Sequence, residues 1–181
     1  MAAPRDGCKH VLRLRGAQID LRDSTKEGRD RLRWTWKGEA TSSEEIGDPV
    51  TGADDYELCL FDGAGDLRFA GGAPAGGLCG RKPCWKSRGR DALRYNDAQG
   101  DPDGITRLDV SPGDDEKASL VARAGGNRLV MPALDSLAAP LLVELRNPRA
   151  CWQSRFPAEG ILRRGERRLQ AIAIPPAQES R

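Results

Sequence analysis

Along most of this chain apolar and polar residues alternate at every second position, in short runs cut off by Gly, Asp, Asn and Pro. In Leu32-Arg33-Trp34-Thr35-Trp36-Lys37 the alternation is complete, placing Leu32, Trp34 and Trp36 on one face of a strand. Ile19-Asp-Leu21, Tyr56–Phe61, Leu67-Arg-Phe69, Leu93-Arg-Tyr95, Thr106–Val110, Leu120–Arg123, Leu141–Leu145 and Trp152–Phe156 repeat the pattern, as does Leu12–Arg15 near the start. Helical periodicity is poor. Ala133–Ala139 lies between two prolines, and Gly160 and Gly165 interrupt the run from Ile161 to Ile174. The pattern predicts an all-β fold, an antiparallel β-sandwich of jelly-roll or immunoglobulin-like type with about eight or nine short strands. One domain over residues 8–157 is expected, with a disordered N-terminus at 1–7. Residues 158–181 read as a basic extension and flexible tail, or at most a short strand laid on the body.

The apolar share of 38% is enough for one core and excludes wholesale disorder. No run approaches the roughly 20 apolar residues that a membrane-spanning helix needs. Basic residues number 29 against 27 acidic ones, and five Arg and three Glu after Phe156 supply that entire excess. The rest of the chain is neutral, which argues against a dedicated nucleic-acid binder. Only six of the basic residues are Lys. Such a preference for Arg, with much Ala and Gly, is what a GC-rich genome produces. Arg163-Arg-Gly-Glu-Arg-Arg168 is the basic run of the chain, and no aromatic residue interleaves it to stack on bases.

Five cysteines are present, at positions 8, 59, 79, 84 and 151. Gly80 and Pro83 lie between Cys79 and Cys84 and let that loop bend back, so a structural disulfide is expected there. A zinc site would need a second close pair, and a thioredoxin-type site two intervening residues. A second disulfide, Cys59–Cys151, is expected from the strands they occupy, although Cys59 shares its face with Glu57 rather than with Leu58 and Leu60. Cys8 is left unpaired. An oxidised pair implies an extracellular or periplasmic protein. No apolar leader precedes Cys8, so a mature form, a cloned domain or a late start site is expected.

Catalysis has little to work with. The one histidine is His10, no Gly-x-Ser-x-Gly elbow is present, and the acidic pairs Asp54-Asp55 and Asp114-Asp115 lie beside turn residues. Asn96, Asp97, Asp101 and Asp103 place hard oxygen donors within one bend, as Ca²⁺ requires. Gln99 and Pro102 break the EF-hand template, and Asp-Pro-Asp-Gly is ordinary turn chemistry, so a turn is the first reading and a calcium loop the alternative. Trp34, Trp36 and Trp152 read as core. Trp85 covers the disulfide or stands exposed as a platform for a sugar ring.

The series Trp34-Thr-Trp36-Lys-Gly38-Glu, Gly47-Asp48-Pro49, Tyr56–Asp62, Pro74–Cys79, Lys82–Lys86, Tyr95-Asn-Asp97, Pro102-Asp-Gly104, Pro132-Ala-Leu134 and Cys151-Trp152 resembles a β-rich domain of large predicted secreted proteins in myxobacteria-like and other GC-rich bacteria. The resemblance spans residues 31 to 157. It implies an exported β-rich module and brings no activity with it.

The function expected from sequence is a non-catalytic extracellular binding, adhesion or spacer module without a cofactor. Its ligand is left open by the sequence, with a glycan or a cell-surface protein as the candidate partners and neither a nucleic acid nor a membrane span expected. The alternative is a carbohydrate-binding or carbohydrate-cleaving domain.

Overall fold

The computed structural model describes residues 3–175. Fourteen strands form: β1 (Ala17–Arg22), β2 (Arg31–Lys37), β3 (Tyr56–Phe61), β4 (Leu67–Ala73), β5 (Leu78–Cys79), β6 (Lys82–Pro83), β7 (Trp85–Ser87), β8 (Leu93–Asn96), β9 (Ile105–Ser111), β10 (Ser119–Gly125), β11 (Leu141–Arg146), β12 (Cys151–Phe156), β13 (Ile161–Gly165) and β14 (Arg168–Ile172). Eight make one sheet in the order β13-β14-β1-β2-β10-β9-β8-β7, four make a second in the order β12-β11-β3-β4, and β5 and β6 form a hairpin. Every pairing between strands is antiparallel. One α-helical turn, α1 (Ser43–Ile46), is held by a capping box between Ser42 and Glu45, and Leu134–Ser136 and Ala158–Gly160 form 3-10 turns.

Strand β2 shows why these residues choose this fold. Leu32, Trp34 and Trp36 are buried while Arg31, Arg33 and Lys37 are exposed, as the period of two requires. Both indoles reach the other sheet. Trp34 Nε1 donates to Ser154 Oγ (2.8 Å), and Trp36 Nε1 donates to the Gln153 carbonyl (3.1 Å), both on β12. Side chains from both sheets therefore meet in one hydrophobic cluster, and the polar atom of each large ring is satisfied inside it.

The early run Leu12–Arg15 forms no strand. Arg15 takes a positive φ of 64° and Gly16 N–H bonds to the Arg13 carbonyl, so the chain turns there. The C-terminal boundary also differs from expectation. Residues 161–172 are not a flexible tail: they form the β13–β14 hairpin, and β14 is laid on the body as the alternative reading expected, pairing along its whole length with β1. Leu169, Ala171 and Ala173 alternate inward and are almost completely buried, which ties the hairpin to the core. Residues 176–181 lie outside the described residues, as do 1–2. The start of the chain, expected to be disordered, is bonded from Arg5 onward. Arg5 N–H donates to Glu144 Oε2 (2.9 Å), and its guanidinium donates to the Asn147 carbonyl (2.7 Å). Lys9 runs parallel to β12 and pairs there with Trp152.

Candidate functional site

The expected disulfide Cys79–Cys84 is formed, with Cα atoms 4.9 Å apart, and closes the β5–β6 hairpin. Gly80 makes the reversal at a φ of 69° that an L side chain rarely adopts. The second pairing is a correction: Cys151 is bonded to Cys8, Cα to Cα 4.7 Å, and Cys59 is free and buried. The Lys9–β12 bridge brings Cys8 alongside Cys151. Cys59 sits mid-sheet between Glu144 on β11 and Ala70 on β4, where burial pushes its thiol up to about 12.

Trp85 is not a platform. It is 1% exposed, its Nε1 donates to the Pro74 carbonyl (2.8 Å), and its ring packs between Tyr56 and Tyr95 with centroids 5.2 and 5.3 Å away. All four Trp, both Tyr and all three Phe are buried, so the chain offers no exposed aromatic side chain for stacking.

The carboxylates of the Asn96–Asp103 loop do not converge. Asp97 accepts from the Gln99 and Asp101 amides (2.9 Å each), Asp101 pairs with Arg128 (3.0 Å), and Asp103 accepts from the Gly72 amide (3.4 Å). The loop is a turn pinned by Asp97. Among the described residues no group of three His, Cys, Asp or Glu is placed to hold a metal ion.

A cleft of about 550 Å³ at the end of β3 and β4 gathers Arg5, Asp55, Glu57, Asp103 and Arg146. Each carboxylate there already has a partner: the Ala75 amide for Asp55 (2.7 Å), Arg146 for Glu57, and the Gly72 amide for Asp103 (3.4 Å). His10 serves through its backbone, exchanging hydrogen bonds with Glu39.

The outer face of the eight-stranded sheet is different. Arg33 on β2 stands directly opposite Arg123 on β10, and Arg123 directly opposite Arg107 on β9. One strand over, Arg31 faces Arg22. Side chains so registered have Cβ atoms only about 5 Å apart, and like charges in that position repel. Arg107 and Arg94 share Asp109 at 2.6 and 2.5 Å, and Arg168 holds Asp20 at 2.9 Å. Burial pushes the Asp109 carboxyl up, but hydrogen bonds from Arg107 and Arg94 outweigh it and hold the group below its usual range. Among the described residues, Arg22, Arg31, Arg33 and Arg123 have no carboxylate within 4 Å; Arg31, Arg33 and Arg123 are exposed around an open recess of about 550 Å³. Gly28, Gly125 and Gly126 line the same recess and leave the guanidinium groups uncovered.

Sequence reasoning attended to Arg163–Arg168 and missed this row. The run itself is divided by the hairpin, with Arg163 and Arg164 exposed on the edge strand and Arg168 paired with Asp20. Comparison with protein-family models, with curated proteins and with solved structures gave no match. Among the described residues no helix is long and apolar enough to cross a membrane.

Proposed function

We propose that this chain is a non-catalytic extracellular binding module, and that the outer face of its eight-stranded sheet takes an anionic ligand. The observation that carries the reading is the row Arg33–Arg123–Arg107, held in register across three adjacent strands. Opposed like charges destabilise a sheet, so an arrangement that leaves two of them without an ion pair is explained by an anion that lies between them. A guanidinium stays charged at all physiological pH and presents a planar fork that grips carboxylate, sulfate or phosphate through two parallel hydrogen bonds. Two disulfides support an oxidising environment outside the cytoplasm. The resemblance to exported bacterial modules agrees with it. The shared core supports taking the two sheets as the layers of a β-sandwich. A rigid sheet suits binding because it fixes the arginines without ordering a loop.

The test is retention on immobilised dextran sulfate. The Arg33→Gln/Arg123→Gln variant is expected to elute at markedly lower salt than the wild type. Arg163→Gln/Arg164→Gln, which removes the same charge from the edge hairpin, is expected to elute close to the wild type. Equal losses in the two variants would reduce the effect to net charge and overturn the reading.

A further inference from the structure

Resting on that reading, we infer that the ligand of the arginine face is an acidic polysaccharide, whose carboxylate or sulfate groups are separated by free hydroxyls. The face is not uniformly cationic. Asp30 lines the recess beside Arg31 and Arg33, and Asp20 stands directly opposite Arg33 on β1. Gln18, Thr35 and Gln170 surround Asp20 in a smaller adjoining recess of about 180 Å³, and Arg33 is common to both recesses. A ligand seated on the arginines therefore meets the Asp30 carboxylate and the neutral Gln18 and Thr35 within one or two strand spacings, about 5 to 10 Å, while Asp20 is held by Arg168 and Gln170.

Charge density decides between the classes of polyanion. A nucleic-acid duplex carries one negative charge about every 1.7 Å of its axis, so one laid on this row would press phosphates against Asp30, which has no cation within 4 Å among the described residues. Nor is any aromatic side chain exposed on which the bases of a single strand could stack. A polysaccharide with sparser acid groups places hydroxyl donors where the face has acceptors, and anions where it has guanidinium groups. The mixture of charges is then complementary rather than opposed. Disulfide bonding points to the same ligand, since it belongs to compartments outside the cell interior.

The experiment compares polygalacturonate and a sparsely sulfated dextran, most of whose hydroxyls are free, with inorganic polyphosphate and neutral dextran, at equal charge concentration where charged, by titration calorimetry on the intact chain. At least one acidic polysaccharide is expected to bind ten-fold or more tightly than polyphosphate, and neutral dextran not measurably. Which of the two binds better identifies carboxylate or sulfate as the acid group. Asp30→Asn keeps the acceptor for the Ser24 amide but removes the charge, and is expected to strengthen polyphosphate binding without strengthening that of the polysaccharide. Polyphosphate binding as tight as the polysaccharides would overturn the inference while leaving the anionic face intact. No binding to any polyanion would overturn both. If Asp30→Asn fails to fold, the wild-type comparison alone decides.

Discussion

Arg33 and Arg123 face each other directly across β2 and β10, and neither has a carboxylate within 4 Å among the described residues. Removing one of two opposed like charges should relieve repulsion. Arg123→Gln is expected to raise stability by about 0.2–1 kcal/mol in low salt. The gain should shrink as salt screens the pair. Denaturant melts at two ionic strengths check this; a loss of stability would show that Arg123 is held by the fold rather than tolerated by it.

Trp36 is fully buried and its Nε1 is bonded to β12, so Trp36→Ala both empties a large site and leaves the Gln153 carbonyl short of a donor. A loss of about 3–5 kcal/mol is expected in a chemical melt. A loss below about 1 kcal/mol would contradict the packing of β2 against β12.

The cysteines give a prediction with two readouts. Cys8–Cys151 joins residues 143 apart in sequence, so replacing both with Ser should cost about 4–5 kcal/mol on the chain-entropy account, against about 2 for the short Cys79–Cys84 loop. Cys59 is buried and its thiol is pushed up to about 12, so a thiol reagent should find no reactive group in the native protein and one after unfolding.

Acid should weaken the fold through groups such as Asp109. Its folded carboxyl lies below its usual range because Arg107 and Arg94 outweigh burial, so below about pH 4 the unfolded chain binds the proton more readily than the folded one. The stabilisation is present above that pH and is lost as pH falls through the folded value. Asp109→Asn should therefore lower the melting temperature at pH 6, and its deficit should narrow toward pH 2. A deficit that stays constant would mean that Asp109 acts only through packing.

The strand Leu32–Lys37 was legible in the sequence because its inward residues are large and its outward ones charged. Strand β14 was not, because its inward residues include Ala171 and Ala173, small side chains that give alternation a weak signal beside a run of arginines. Cys59 carried its clue openly, sharing a face with Glu57 instead of with Leu58 and Leu60, and it stays reduced. Cys8 carried none, since only the Lys9 bridge to β12 brings it to Cys151. The arginine row was hidden for a more general reason. Arg33 and Arg123 lie far apart along the chain, and what makes them neighbours is strand register, a property of pairing rather than of either segment. In a chain so rich in Arg, composition could not single them out.

The salt dependence of dextran sulfate binding tests the anionic face most directly. Each guanidinium in contact with a polyanion releases condensed counterions, at about 0.7–0.9 per contact for nucleic-acid strands. Plotting log K against log salt for the wild type and for Arg33→Gln/Arg123→Gln should therefore give a slope shallower by about 1.5 in the variant, together with weaker binding at every salt concentration. Identical slopes and affinities would contradict the account, because the two arginines would then stand face to face with no ligand to explain them.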